Sequence, residues 1–424
     1  MNKRYLQYSL VLIGMAFWGP FYRSILDKIW VLNSGILSVG KWAQLQTFID
    51  FMSAPITAGL AIGLSIFTAQ NNKNEQMTIL LSAYLLGAIA TLPLLFLSIG
   101  NIESICSILG LDQLLGSEVV LSAIGGFLSI GSSLLCGYFI GRDQQNKAFF
   151  LILITTFPNV LVLCLSTYID SIDPFFLLLY SIIIVGIASN VALILMLYQY
   201  RKTSEYDIDT IYKFSKQLLR FIPTGFAIGM ISSFCVLLTR NLIAIQENWT
   251  IASQAVALWR LSDWILAPAT TILYFHFLPA LSRNLLSGNA NSCMREIMRK
   301  LFLPSILALS LLILFRNQAL HFFYDAKFIV PFNVAFNFWI GDALRILAAI
   351  FLMGLYAMHA TKLIIIFDIF SQPLFVFLLF MGMATSLLST GFAFLLTYFL
   401  YSVLCIAGFI FIERQIKKLQ FKLP

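Results

Sequence analysis

Charge is scarce in this chain: Asp, Glu, Lys and Arg make up 11% of its 424 residues, against about 25% in a typical soluble domain. That scarcity, with 60% hydrophobic residues and a mean hydropathy of +0.89, excludes a soluble globular protein. Histidine is scarcer still. His276, His321 and His359 are too dispersed to build a metal site. The six cysteines (Cys106, Cys136, Cys164, Cys235, Cys293, Cys405) show no CxxC or Cys/His spacing, so neither a disulfide framework nor a zinc cluster is expected. They read as small buried hydrophobes. There is no P-loop, no Gly-x-Ser-x-Gly and no glycine-rich dinucleotide turn. Without ATP hydrolysis, any pumping must use an ion gradient, the substrate gradient or the membrane potential, and no cofactor is expected.

What the chain has is apolar length. A membrane-crossing helix needs about 20 apolar residues. Twelve such runs lie near 8–31, 42–67, 78–100, 117–140, 149–168, 175–198, 218–244, 251–280, 300–316, 335–358, 362–383 and 390–412. The fold class expected is an all-α polytopic membrane protein. A β-barrel would instead show alternating segments of about ten residues. Lys3 and Arg4 precede an apolar segment as in a signal peptide, but no small-residue cleavage site follows, so this segment is expected to be a retained first span. Prolines 20, 55, 93, 158, 223, 268, 304 and 373 fall inside spans, where such kinks are tolerated and often mark moving parts of transporters.

The net charge of +8 follows the positive-inside rule and does not call for a nucleic-acid partner. With the N-terminus inside, the outer segments hold only Lys41, Arg316 and Lys327, and carry Glu103, Asp112, Glu118, Asp170, Asp173, Glu247 and Asp325. Both termini are therefore expected on the cytoplasmic side. The longest polar break, "YRKTSEYDIDTIYKFSKQLLR", follows the sixth span. It predicts an N-terminal lobe over 1–200, a linker over 201–217 and a C-terminal lobe over 218–424. Similar offsets between Arg23 and Arg240, Asp50 and Asp263, and Lys147 and Lys362 are consistent with two parallel six-helix repeats.

Ten charged residues nevertheless stand inside the spans: Arg23, Lys28, Arg240, Arg260, Arg345, Asp27, Asp50, Asp263, Asp342 and Asp368. A charge near mid-bilayer costs about 2.5–3.5 kcal/mol even on a lenient scale, and such residues usually face a bundle interior or a wet cavity. The five cations are expected to form a patch able to hold a phosphate or pyrophosphate, with Arg supplying bidentate donors. The plainer alternative is that Arg23/Asp27, Arg260/Asp263 and Asp342/Arg345, spaced i,i+3 or i,i+4, neutralise themselves on one helix face, or that the long side chains snorkel outward. Asp50 and Asp368 have no basic neighbour on their own helix face, which makes them candidates for ion coupling. Asp263 and Asp342 are candidates for orienting the cations or for coupling.

The blocks "WRLSDWILAPATTILYFHFLPALSR" (259–283), "LFRNQALHFFYDAKF" (314–328) and "FWIGDALRILAAIFLMGLYAMHATK" (338–362) resemble bacterial O-antigen and enterobacterial common antigen (lipid III) flippases. These are polysaccharide-precursor translocases of the multidrug/oligosaccharidyl-lipid/polysaccharide (MOP) exporter superfamily. The likeness runs over about 240–380, with a fainter match in "DKIWVLNSGILSVGKWAQLQTFIDF" and "GLAIGLSIFTAQNNKNEQ". It implies twelve spans in two six-helix lobes around a cationic cavity, in the bacterial inner membrane. It also implies translocation of an undecaprenyl-pyrophosphate-linked oligosaccharide by alternating access, with the polymerase and chain-length regulator of the same pathway as partners. By motif, Gly341, Asp342 and Arg345 match the family's Gly-Asp-x-x-Lys, Arg240 its late span 7 cation and Lys28 its late span 1 cation. Arg345 replaces a lysine, and "FWGPFYRS" stands where the family tends to be smaller and glycine-rich.

Two other functions compete. A cation-coupled multidrug exporter of the same superfamily would favour acidic and aromatic cavity residues. A membrane glycan polymerase would be an enzyme, and would need a long outer loop bearing catalytic Arg or His, which the sequence does not offer.

Overall fold

The computed structural model describes residues 3–110, 116–167, 173–201, 208–273, 277–278, 281, 290–324, 328, 330–358, 360–383 and 385–420. His276, His359, Asp112, Asp170, Lys202, Arg283, Asp325, Lys327 and Lys422 lie outside them. Fourteen helices have both ends among the described residues; residues 277, 278 and 281 are also helical. Twelve are long: α1 (Lys3–Ser34), α2 (Ile36–Gln70), α3 (Lys73–Gly100), α5 (Gly116–Gly141), α6 (Gln145–Ser166), α7 (Pro174–Arg201), α8 (Ile208–Gln246), α9 (Trp249–Ile272), α10 (Ser292–Leu314), α12 (Phe332–Ala357), α13 (Lys362–Met383) and α14 (Leu387–Gln420). The short helices α4 (Ile102–Leu109) and α11 (Arg316–Phe323) were not expected from hydropathy.

Over their described residues, ten of these are long and apolar enough to cross a membrane. α1 and α9 carry Arg23, Asp27, Lys28, Arg260 and Asp263.

The chain divides into two compact units. One comprises Met1–Gly14 with Leu32–Asn241; the other comprises Met15–Val31 with Leu242–Pro424. The boundary falls at 241/242 rather than in the 201–217 stretch. Most of α8 groups with the first unit, and residues 15–31 of α1 group with the second.

In the first unit, Leu60, Leu64, Leu80, Leu134, Tyr138, Leu193 and Phe214 form a buried core. Lipid is as apolar as leucine, so contacts of this kind depend on close van der Waals packing. The approach of α2 to α8 shows how close that is. A Cβ on Gly59 would lie 2.7 Å from the Phe221 carbonyl oxygen, and one on Gly225 would lie 2.9 Å from that of Pro55. Both helices widen by one turn here, over Ile56–Leu60 after Pro55 and over Gly225–Met230 after Pro223. Similar widened turns fall over Met298–Phe302, before Pro304, and over Leu379–Met383, after Pro373. Proline lacks the amide donor of the regular ladder, and such bulges are one way for a helix to absorb the loss. Pro20, Pro93 and Pro158 lie inside helices with no such turn beside them.

Candidate functional site

In the second unit, α1 and α9 exchange their charges across the helix pair. Arg260 makes a salt bridge to Asp27, with both side chains buried, and Arg23 Nη1 lies 3.5 Å from Asp263 Oδ2. The spacing that puts Arg23 and Asp27 on one face of α1, and Arg260 and Asp263 on one face of α9, lets the two faces mate crosswise. Tyr324 donates its hydroxyl proton to Asp27 Oδ2 at 3.2 Å. Lys28 donates to the carbonyl oxygens of Tyr324 at 2.6 Å and His321 at 3.5 Å. Trp264 Nε1 donates to Ser24 Oγ at 3.0 Å, and its ring meets Phe17, Phe21 and Phe323. Buried charges demand both a counter-charge and filled hydrogen-bond positions. Asp27 has both.

Arg345 is placed differently. It stands midway along α12, and its side chain is 47% exposed, while Asp342 one turn away is fully buried. The two charges are 4.0 Å apart, beyond hydrogen-bond reach. Neither Asp342 oxygen finds a hydrogen-bond partner among the described residues. The Arg345 guanidinium carbon lies 5.6 Å from the centre of the Tyr398 ring, within range of a cation–π contact. Tyr398 in turn accepts a hydrogen bond from Gln372 Nε2 at 2.8 Å, and Tyr401 donates to Asp368 Oδ1 at 2.5 Å. A polar seam along α13 and α14 therefore underlies the cation.

Packing fixes this arrangement. A Cβ on Gly341 would lie 2.5 Å from the Phe394 ring, so a larger residue would push α12 off α14. Phe394 joins Trp259, Phe338 and Phe375 in an aromatic cluster. Trp339 Nε1 donates to the Leu258 carbonyl at 3.2 Å, tying α12 to α9.

The five cations are thus not one uniform set. Arg23, Lys28, Arg260 and Arg345 belong to the second unit, and Arg240 to the first. Arg240 is buried and donates through Nη1 to the Ala43 carbonyl and to Thr47 Oγ1, both at 2.7 Å. Asp50 is exposed on α2 in the first unit. Sequence reasoning missed Tyr324, Gln372, Tyr398 and Tyr401. The i,i+3 tyrosines of "LLTYFLYSV" in α14 were the available signal.

No protein-family model and no curated sequence matches the chain. Solved structures do. An inward-facing multidrug resistance MATE family transporter of the MOP superfamily superposes with a TM-score of 0.75 at 13% identity, covering 96% of each chain. The fold is that of the MATE-type transporters. An outward-facing structure of such a transporter gives 0.71 at 13% identity, covering 97% of this chain and 95% of that one. A MOP superfamily transporter from Pyrococcus furiosus, described as having a binding pocket of reverse polarity that suggests a different function, gives 0.72 at 14% identity over 97% and 94%. The twelve-helix, all-α expectation agrees with these neighbours.

Proposed function

We propose that the protein moves an undecaprenyl-pyrophosphate-linked oligosaccharide between the leaflets of a bacterial inner membrane by alternating access. Arg345 carries the proposal. A guanidinium halfway along a span cannot face hydrocarbon without a cost of several kcal/mol, so its exposed face meets water or an anion. A single carboxylate at 4.0 Å leaves its donor fork open to a bidentate phosphate. Arg23, 42% exposed and held to Asp263 at 3.5 Å, is the second contact. Lys28, Arg240 and Arg260 are already engaged by carbonyls, a hydroxyl or a buried carboxylate, and their role in this reading is to hold the helices. Pocket polarity is not fixed by a fold, so neighbours described as multidrug transporters do not argue against a cationic site. In this reading the glycan crosses in water while the polyprenyl tail stays in lipid, and the pathway's polymerase receives the product.

The test is surface glycan in cells that depend on this protein. Arg345→Ala should abolish display while the protein still inserts and accumulates, and Arg345→Lys should restore part of it. Normal display by a stably expressed Arg345→Ala variant would contradict the reading. A second reading, export of cationic amphiphiles, is favoured by the aromatic cluster around Trp259 and by the part-exposed Asp263. It requires Asp263→Asn to abolish efflux of a lipophilic cationic dye from proteoliposomes, whereas the flippase reading predicts no dye transport at all.

A further inference from the structure

A cleft of about 650 Å³ opens between α6 and α7 in the first unit, with Leu135 of α5 at its floor. Its origin lies in the sequence. Pro158 on α6 and the small residues Ser181, Ala188, Ser189 and Ala192 on α7 leave space where longer side chains would meet. Three of the cleft's hydroxyls are already used within the protein, and the fourth, that of Tyr180, stands at the exposed rim. Thr155 donates to the Leu151 carbonyl at 2.9 Å, Ser181 to Asn159 Oδ1 at 2.8 Å and Ser189 to the Val185 carbonyl at 2.9 Å. Inside the rim the lining therefore offers a ligand hydrocarbon contact. Its rim residues Ile154, Tyr180 and Ile184 are exposed, on helices whose composition puts them in lipid.

Length and charge narrow the occupant. From Leu151 to Val162 the cleft follows α6 for about 16 Å, and from Leu177 to Ala192 it follows α7 for about 22 Å, at 1.5 Å per residue. The α6 length matches one leaflet, about half of a 30 Å hydrocarbon core, the α7 length exceeds it by about 7 Å, and both are far too short for a polyprenyl chain. The two ends differ in charge. Lys147 lies one turn beyond Leu151 on the same face of α6, with Nζ 5.8 Å from the Phe139 ring centre. Arg142 lies two turns beyond Leu135, donates to the Tyr138 hydroxyl at 2.9 Å and lies 5.4 Å from that ring's centre. The exposed Asp143 stands between them in the turn, leaving one net positive charge. At the other end, Asp173 caps the Phe175 amide at 2.8 Å. Basic pockets between spans are recognised binding places for anionic lipid headgroups.

We propose that this cleft is a binding site for an anionic glycerophospholipid, with one acyl chain lying between α6 and α7 and the phosphate on Arg142 and Lys147. The site is independent of the transport reading, since it lies in the first unit and shares no residue with the Arg345 surface.

The test is native mass spectrometry of the delipidated full-length protein titrated separately with phosphatidylglycerol, phosphatidylcholine and undecaprenyl phosphate. Phosphatidylglycerol should bind about tenfold or more tighter than phosphatidylcholine. Arg142→Ala with Lys147→Ala should erase that difference, and Lys362→Ala, an exposed cation elsewhere, should not. Ala188→Phe with Ala192→Phe should weaken both phospholipids. Because that variant could misfold, phosphatidylglycerol carrying a diazirine on its acyl chain should also label α6 and α7 of the unmodified protein. Equal binding of the two phospholipids, labelling elsewhere, or tighter binding of undecaprenyl phosphate would each overturn the assignment.

Discussion

Asp27 and Arg260 show what an intramembrane charge needs. Each is buried, each finds the other across two helices, and Tyr324 supplies a further donor. Removing one member leaves its partner charged and unpaired, which typically costs about 3–5 kcal/mol, whereas replacing both with apolar residues of similar size is often neutral or stabilising. Arg260→Ala should therefore lower the melting temperature markedly in detergent, and Asp27→Leu with Arg260→Met should recover most of the loss. No recovery in the double variant would mean that the pair does more than balance itself. Asp342 makes a contrasting case, since its carboxylate is fully buried without a hydrogen bond among the described residues. Asparagine keeps its shape and removes its charge. Asp342→Asn should leave the melting temperature close to that of the parent while lowering transport roughly ten- to a hundredfold, as expected when a substrate-holding group loses its aim. A large drop in melting temperature with unchanged transport per folded molecule would assign Asp342 to stability instead.

At the scale of elements, contact is controlled by small residues and proline-linked turns. The close approach of α2 to α8 at Gly59 and Gly225 leaves no room for a side chain. Gly59→Val should cost about 1–3 kcal/mol, the usual range for overpacking, read as a lower unfolding midpoint. An unchanged midpoint would show that the two helices separate easily there. Much of this level was legible from sequence, because a span is a local property: about twenty apolar residues announce it. The in-span charges were legible for the same reason. Their partners were not. Sequence spacing offered Arg23 and Asp27 as a self-neutralising pair on one helix as the alternative to a cavity-facing Arg23, but Asp27 bonds to Arg260 and Arg23 to Asp263, each more than 230 residues away in sequence. Hydropathy also cannot report helices such as α4 and α11, of eight residues each, because they are too short to span. The widened turns were only partly visible, since prolines were counted but Pro20, Pro93 and Pro158 have no such turn beside them.

For the molecule as a whole, two compact units of a MATE-type fold carry cations of two kinds. Arg240, Lys28 and Arg260 tie helices together, whereas Arg345 and Arg23 keep guanidiniums that are 47% and 42% exposed, which the proposed reading turns toward water. The function rests on that distinction. It is tested most directly by placing a lone cysteine at position 345 in a protein whose six native cysteines have been replaced, then treating reconstituted vesicles with a membrane-impermeant thiol reagent. The account predicts labelling from the aqueous phase. A thiol at 345 that no aqueous reagent reaches would contradict it.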